Sequence, residues 1–288
     1  MIVDLNQVLL PARRHHYALG AFNVYNLETV DAVLAAASEL DSPVIIALGE
    51  RYIQHFPIQA VAAIVKTMAQ DLPVPVALHL DHANKLESIE QAIKAGFSSV
   101  MIDGSKLVLS ENIALAKRAV SLARPRGVSV EAELGRIVRT GVAEADLFTD
   151  PQEAQQFVEQ AGVDALAIAI GTVHGLYKGE PTLDLARLSQ MAEQVSVPLV
   201  LHGVSGLPDH LIKSAIQLGV AKLNVNTEIS IQGVKAIQGL LANRSNENTR
   251  LEELMIEARH SMVGVVKKYI EFFGSSGMSQ RTFTQDHR

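Results

Sequence analysis

The stretch that decides the fold is PVALHLDHAN at residues 75–84, an apolar run that ends in an acid and a histidine. Its apolar positions are nearly continuous rather than alternating. This pattern indicates a strand buried on both faces, as in a parallel sheet covered by helices. Asp81 and His82 then stand at the C-terminal end of a core strand.

Seven further apolar runs of similar length are spaced along the chain. They cover residues 17–24, 43–49, 99–105, 129–135, 165–171, 198–203 and 221–226. Segments with helical periodicity separate them, and several of these end in glycine, as helix C-caps do. Eight strand-helix units predict an α/β fold, a (β/α)8 TIM barrel with extra C-terminal helices. A doubly wound open sheet is the alternative, although no G-x-G-x-x-G motif follows the first run.

We expect residues 1–288 to form a single barrel domain. After the eighth run the pattern becomes helical, which indicates a C-terminal helical extension at about 229–273. The polar, glycine- and serine-rich end predicts a mobile tail at about 274–288.

Composition excludes several classes of function. The chain has no cysteine, so histidine and carboxylate side chains must hold any transition metal. Its net charge of −6, without clustered Lys and Arg, argues against nucleic-acid binding. No run approaches the roughly 20 apolar residues of a membrane span, and the first residues do not resemble a signal peptide. We expect a cytoplasmic protein.

Polar residues collect where the runs end, whereas the starts are apolar or proline. The residues concerned are Asn23, Asp81, His82, Asp103, Glu131, Glu133, His174, His202, Asn224 and Asn226. In a barrel these ends form one rim, which is where such folds place their active sites. Acids this close together need a neutralising charge, and a divalent cation supplies it.

The histidines divide into two kinds. His82, His174 and His202 follow three different strands, and three imidazoles with one open coordination position are typical of catalytic zinc. His79 lies deeper in its strand, so we interpret it as a core histidine or a group that orients a metal ligand.

Two loops on the same rim have features of phosphate sites. HGVSGLPD at 202–209 combines close backbone approach at Gly203 and Gly206 with the hydroxyl of Ser205. NVNTE at 224–228 follows the eighth run, and Thr227 can cap the next helix. The loops after strands 7 and 8 are where barrels frequently bind phosphate.

Six motifs in this order resemble the class II, zinc-dependent fructose-bisphosphate and tagatose-bisphosphate aldolase family. They are HLDHAN, MIDGS, VEAELGRI, AIAIGTVHGLYKGEP, LHGVSG and NVNTE, and the similarity covers most of the chain. The resemblance implies reversible retro-aldol cleavage of a phosphorylated ketose, either a ketose 1-phosphate or a ketose 1,6-bisphosphate. The products would be dihydroxyacetone phosphate and an aldehyde, formed through a zinc-stabilised enediolate.

The resemblance also implies a role for each matching residue. Asp81 would be the catalytic proton donor, and His82, His174 and His202 would bind Zn²⁺, while Asp103 and Glu133 would hold a second or displaced metal. Substrate would contact Asn23, Gly175, Lys178, Gly203, Val204, Ser205, Asn224, Val225, Asn226 and Thr227. A monovalent cation, Na⁺ or K⁺, would bind backbone carbonyls near the glycines. Family members are commonly dimers or tetramers, so we expect a homodimer or homotetramer.

Two positions depart from the family pattern. The loop IVRTGVAEADLFTDP at 137–151 is short, and Glu144 is its nearest match to the acid that exchanges the proton on the dihydroxyacetone carbon, with Asp146 behind it. Ser230 stands where bisphosphate-cleaving members usually carry Arg or Lys. Without that cation, binding of the distal phosphate loses a charge-assisted hydrogen bond worth about 1.5–3 kcal/mol. We therefore expect the distal phosphate to be unimportant and the substrate to be a ketose 1-phosphate.

Two rival functions stay open at this point. A metal-dependent phosphosugar isomerase or epimerase could use the same rim, and a non-catalytic barrel could bind metal or sugar phosphate. A Schiff-base aldolase needs a lysine at the rim, whereas Lys222 stands near the start of the eighth run.

Overall fold

Eight parallel strands close into a barrel in a computed structural model that describes residues 1–137, 147–173, 175, 177, 180–242 and 249–279. The strands are β1 Leu19–Asn23, β2 Val44–Gly49, β3 Val76–Ala83, β4 Ser99–Ile102, β5 Ser129–Leu134, β6 Ala165–Ile168, β7 Leu199–Leu201 and β8 Val220–Val225. Each strand pairs with the next, and β1 pairs with β8, where Ala21 lies opposite Asn224. The predicted TIM barrel is confirmed, and the doubly wound alternative is wrong.

Helices connect the strands and surround the barrel. They are α1 Leu5–Arg14, α2 Leu27–Glu39, α3 Ile58–Ala69, α4 Leu86–Ala95, α5 Leu109–Ala123, α6 Pro151–Ala161, α7 Leu185–Gln194, α8 Asp209–Gln217, α9 Thr227–Ala242 and α10 Leu251–Phe273. Their starts follow local sequence signals. Asn26 accepts a hydrogen bond from the backbone of Thr29 at the start of α2, and Asp150 caps α6 with Pro151 in the first turn.

The barrel interior changes from apolar to polar along the strands. At the N-terminal end, α1 packs Leu5 and Leu9 into a cluster with Ile45, Ala77 and Met101. A second, larger core fills the layer between the strands and the surrounding helices. Farther along the strands the inward positions are polar, so the site lies at the opposite end of the barrel from the apolar plug.

Several strands end before their apolar runs do, and β6 and β7 are two examples. The run at 165–171 leads only to Ile168, because the next residue bonds outside the sheet. The hydroxyl of Thr149 accepts from Ala169 N at 2.8 Å, and Thr149 N donates to Ala169 O at 2.9 Å. The seventh strand likewise ends at Leu201, so His202 already belongs to the loop.

Among the described helices, none combines the length and the apolar character that crossing a bilayer requires.

The C-terminal helices pack on the barrel and on each other. α10 ends at Gly274, whose φ of 79° closes the helix. Beyond it, Gly277 N donates to Leu40 O at 2.8 Å and Ser279 N to Asp41 O at 3.1 Å. Residues 274–279 are thus held against the end of α2, and the rest of the expected tail, 280–288, lies outside the described residues.

Candidate active site

The C-terminal strand ends bring five of the expected side chains together. Asp81 and His82 come from β3, Asp103 follows β4, Glu133 lies in β5 and His202 follows β7. Ligand atoms of Asp81, His82 and His202 lie within 4.8 Å of one another, and so do those of His82, Asp103 and Glu133. The convergence on one rim that the sequence predicts is therefore present for these residues.

His82 and His202 point ring nitrogens at each other. His82 Nε2 lies 2.9 Å from His202 Nδ1, and the ring centroids are 4.6 Å apart at an interplanar angle of 73°. His82 has a φ of 51°, a left-handed conformation that a non-glycine residue rarely adopts. The irregular pairing of β3 with β4 between Leu80 and Ala83 falls at the same place. Backbone strain of this kind collects at functional sites.

The loop beyond His82 is braced by an acid from the segment after β2. Glu50 Oε2 accepts from Asn84 N at 3.0 Å and from Asn84 Nδ2 at 3.2 Å. Asn84 Nδ2 also donates to His82 O at 3.0 Å. These bonds fix the backbone on both sides of the turn that aims the His82 ring.

The other nitrogen of His82 faces two carboxylates. His82 Nδ1 lies 3.2 Å from Asp103 Oδ2 and 3.9 Å from Glu133 Oε2. Burial and the charge of Asp103 raise the pKa of Glu133 to about 8, against the opposing effect of His82. Burial alone would lower the pKa of His82, but Asp81 and Asp103 raise it to about 9. The cluster thus attracts positive charge, as a divalent cation site does.

Asp81 is held as a carboxylate by two amides. Asn23 Nδ2 donates to Oδ2 and Asn224 Nδ2 donates to Oδ1, each at 3.1 Å. Burial would raise the pKa of Asp81, but the neighbouring His82 and His202 bring it below its ordinary value. The side chain is 5% exposed, so it is an ionised proton acceptor in a nearly enclosed place.

Beneath the rim lies a set of buried contacts that the sequence did not indicate. Glu131 Oε1 accepts from His202 Nε2 at 2.9 Å, and Lys222 Nζ lies 2.8 Å from Glu131 Oε2. His79 Nδ1 lies 2.7 Å from Ser99 Oγ, while its Nε2 is 3.8 Å from Glu131 Oε2. Burial, with the charge of Lys222, lowers the pKa of His79 to about 3, so this ring is neutral. His79 is therefore a core histidine, and it lies beside Glu131, which contacts His202.

The two glycine- and asparagine-containing loops flank this centre. Gly203 has a φ of 69°, and a Cβ added there would lie 2.4 Å from Val173 O, so only glycine fits. Ser205 Oγ donates to Glu228 Oε2 at 2.6 Å. α9 begins at Thr227, and its first backbone N–H groups lack helical partners, a feature that suits an anion.

Asn226 belongs to an aromatic cluster on the open side of the rim. Its side chain accepts from Tyr25 OH and donates to Tyr52 OH at 3.4 Å. The rings of Tyr25 and Tyr52 meet edge to face at 4.9 Å, and the Arg51 guanidinium lies 4.6 Å above the Tyr52 ring. Asn226 was predicted as a rim residue, whereas Tyr25, Arg51 and Tyr52 belong to no motif that the sequence presents.

Comparison with known proteins identifies the family. The family model described as "Fructose-bisphosphate aldolase class-II" matches residues 3–278. The chain is 40% identical over 287 residues to "Fructose-bisphosphate aldolase" of Staphylococcus aureus (strain Mu50), covering 97% of this chain and 99% of the relative. The chain belongs to this family.

Solved structures agree with the assignment. The YdjI aldolase from Escherichia coli K12 is 38% identical, with a TM-score of 0.88, over 97% of this chain and 100% of that one. Fructose-bisphosphate aldolase from Campylobacter jejuni is 24% identical, with a TM-score of 0.85, over 96% of each chain, which supports the fold alone. The predicted resemblance is confirmed: the protein is an aldehyde-lyase of the class II aldolase family, which uses a divalent metal and acts on phosphorylated sugars.

The donor set of this class II aldolase fits such a metal. Two imidazole nitrogens converge at His82 and His202, and the buried Glu133 Oε2 has no hydrogen-bond partner in the part of the chain that the structure describes. Three of the expected site residues, His174, Lys178 and Glu144, lie outside the described residues, so their roles stay predictions. Gly175 is described, half-buried and with a φ of 95°.

Proposed function

We propose that the protein catalyses reversible retro-aldol cleavage of a ketose 1-phosphate to dihydroxyacetone phosphate and an aldehyde. The observation that carries the proposal is Asp81: an ionised carboxylate, held by two amides, beside two converging histidine nitrogens. A residue placed to move a proton next to a metal-type cluster suits carbon–carbon bond cleavage at a hydroxyl.

We assign Zn²⁺ to His82, His174 and His202, because histidine nitrogens are the available ligands and the chain contains no cysteine thiolate. When bound, such an ion acts as a Lewis acid on substrate oxygens and stabilises the negative charge that develops there. Asp103 and Glu133 would hold a second or displaced ion. The His82 ring, which faces both carboxylates with one nitrogen and His202 with the other, supports this arrangement.

Asp81 takes the proton from the hydroxyl at the cleaved bond and returns it to the aldehyde in the reverse direction. Asn23 and Asn224, which come from the neighbouring strands β1 and β8, orient the carboxylate for both steps. We assign the proton exchange on the dihydroxyacetone carbon to Glu144.

The phosphate shared with dihydroxyacetone phosphate would bind between the loops after β7 and β8. Its contacts would be Gly203, Val204 and Ser205 from the first loop and Asn224, Val225, Asn226 and Thr227 from the second, with Gly175 and Lys178 alongside. The backbone of Gly203 and the start of α9 supply N–H donors of the kind that bind phosphate. A monovalent cation, Na⁺ or K⁺, would bind carbonyl oxygens beside the same glycines.

Two described features favour a substrate without a second phosphate. Ser230, exposed in the first turn of α9, offers a hydroxyl where the family usually has a cation. The Arg51 guanidinium is stacked over the Tyr52 ring at that end of the site, while the side chain of Asn226 is engaged by Tyr25 and Tyr52, which adds hydroxyl and amide groups. Such groups suit the hydroxyls of an aldehyde.

Lys222 argues against a Schiff-base mechanism. Its side chain is fully buried and its ammonium contacts both oxygens of Glu131, at 2.8 and 3.0 Å. A Schiff-base lysine has to reach the substrate as a free amine. None of the eight strands carries a lysine at its C-terminal end.

The test is aldol condensation of dihydroxyacetone phosphate with a panel of aldehydes, with and without a chelator. We expect condensation with neutral hydroxyaldehydes, loss of activity on chelation and recovery with Zn²⁺. Activity that survives complete metal removal would overturn the mechanism. Equal or better turnover of a 1,6-bisphosphate than of matched 1-phosphates would overturn the substrate assignment, and Arg51 would then be the cation to test.

We further propose that the protein is cytoplasmic and forms a homodimer or homotetramer. Light scattering can check the oligomeric state.

A further inference from the structure

A complete ion pair lies inside the barrel, below the rim. Lys222 projects from β8 and Glu131 from β5, and both side chains are 0% exposed. Burying two charges costs more free energy than their attraction commonly returns, so such a pair is weak evidence for a role in stability. The contacts of the pair indicate what else it does.

The contacts form a chain that ends at the metal-type cluster. Lys222 Nζ lies 2.8 and 3.0 Å from the two oxygens of Glu131. Glu131 Oε1 lies 2.9 Å from His202 Nε2, and His202 Nδ1 lies 2.9 Å from His82 Nε2. His202 therefore contacts Glu131 through Nε2, and its Nδ1 points towards His82 in the cluster that we assign to the metal.

A carboxylate behind a metal-binding histidine has a known physical effect. It accepts the ring N–H, fixes the tautomer and keeps the other nitrogen free to bind the ion. That effect needs the acid to be held in place behind the ring. Lys222 is the group that does so, since its Nζ lies 2.8 and 3.0 Å from the two oxygens of Glu131, whereas His79 Nε2 is 3.8 Å from Glu131 Oε2.

We propose that Lys222 is a positioning residue: its ammonium contacts both oxygens of Glu131 and fixes that side chain where it accepts from His202 Nε2 and orients the His202 ring towards the metal. The inference rests on the proposed metal site, and it assigns a task to a lysine that the aldol chemistry does not otherwise use. Lys222 acts through Glu131 and His202 and touches neither substrate nor metal.

The experiment measures metal binding to the whole chain after the metal is removed. Zn²⁺ affinity is obtained by competition with a chromophoric chelator, and the visible absorption of bound Co²⁺ reports the geometry of its ligands. Lys222→Met should weaken Zn²⁺ binding about 10- to 100-fold, the range seen when such outer contacts are lost. It should also alter the Co²⁺ bands, which a loss of stability alone would leave unchanged.

A double variant keeps the test valid if Lys222→Met fails to fold. Lys222→Met with Glu131→Gln removes both buried charges, while the glutamine oxygen still accepts from His202. A neutral acceptor is weaker than a carboxylate, so its Zn²⁺ affinity should fall between those of Lys222→Met and the wild type. Where only the double variant folds, a Zn²⁺ affinity equal to that of the wild type overturns the proposal.

Two controls separate the explanations. Phe157→Leu alters a fully buried side chain of α6 outside the barrel, so it should lower Tm and keep both metal affinity and Co²⁺ bands. His82→Ala tests the metal site itself: if it still binds Zn²⁺ normally, the proposed function fails. If His82→Ala loses the metal but Lys222→Met, or the double variant, binds like wild type, the inference about Lys222 alone is overturned.

Discussion

Replacing Gly203 by alanine should damage the site far more than the fold. At a φ of 69° a side chain costs about 1–2 kcal/mol. The added Cβ would also lie 2.4 Å from Val173 O and 2.8 Å from Val173 C, both backbone atoms. Because unstrained contacts begin near 3.4 Å, one of the two segments must move by about 1 Å. That shift displaces the residue directly after His202.

A displacement of about 1 Å at a substrate-positioning group can cost about 10²-fold in rate. We therefore expect kcat/KM for condensation to fall about 100-fold in Gly203→Ala, while Tm falls by only several °C. Gly127→Ala is the matched control, since its φ is 65° and nothing lies within 4 Å of the added Cβ. Gly127→Ala should lower Tm by a similar amount, because its backbone conformation is similarly unfavourable for alanine, and its turnover should stay normal.

Steady-state kinetics and calorimetry on the two variants decide the matter. If Gly203→Ala is as active as Gly127→Ala, the close approach of the loops after β6 and β7 does not set the site, and the reasoning is refuted. If both variants lose activity equally, strain rather than displacement is the cause.

Three further outcomes follow from other parts of the chain. His82→Ala should abolish stoichiometric Zn²⁺ binding, as measured by metal analysis after gel filtration, and retention of one Zn²⁺ per chain would mean that the ligand is misassigned. Ser230→Arg should improve kcat/KM for a 1,6-bisphosphate by about tenfold or more over a 1-phosphate, and an unchanged ratio in kinetic assays would count against Ser230 as the specificity position. Thr149→Val should cost about 1–3 kcal/mol, because Ala169 N loses its acceptor and Leu134 O its donor, and an unaltered denaturation midpoint would show these bonds to be dispensable.

The fold was predictable because its signal is repeated along the chain. Each of the eight apolar runs coincides with a strand to within a few residues, since strands buried on both faces need continuous apolar sequence. Strand ends were less predictable. The bonds between Thr149 and Ala169 that shorten β6 join residues 20 apart, and no local pattern records them.

The site was predictable where chemistry and strand position coincide. Asp81, His82 and His202 stand at or just beyond strand ends, so the barrel topology alone brings them together. The left-handed conformation at His82 was not predictable, because the sequence has no glycine at that position.

The support beneath the site was not predictable from position. Glu131 and Glu133 are two residues apart in one strand, so both face the interior, and that spacing was the available signal. Lys222, near the start of its strand, gave the impression of lying too far from the rim. The length of the lysine side chain accounts for the contact: its four-carbon stem reaches from β8 to Glu131 on β5.

In the proposed mechanism Asp81 moves the proton while the histidines hold the metal. Asp81→Ala separates these two roles when Zn²⁺ content and cleavage rate are measured on the same preparation. We expect one Zn²⁺ per chain to remain and kcat to fall about 10²- to 10⁴-fold, the contribution of a general acid–base group. Because Asp81 lies within 4.8 Å of the ring nitrogens, a ligand role is the competing explanation. Loss of the metal together with the activity would contradict the account.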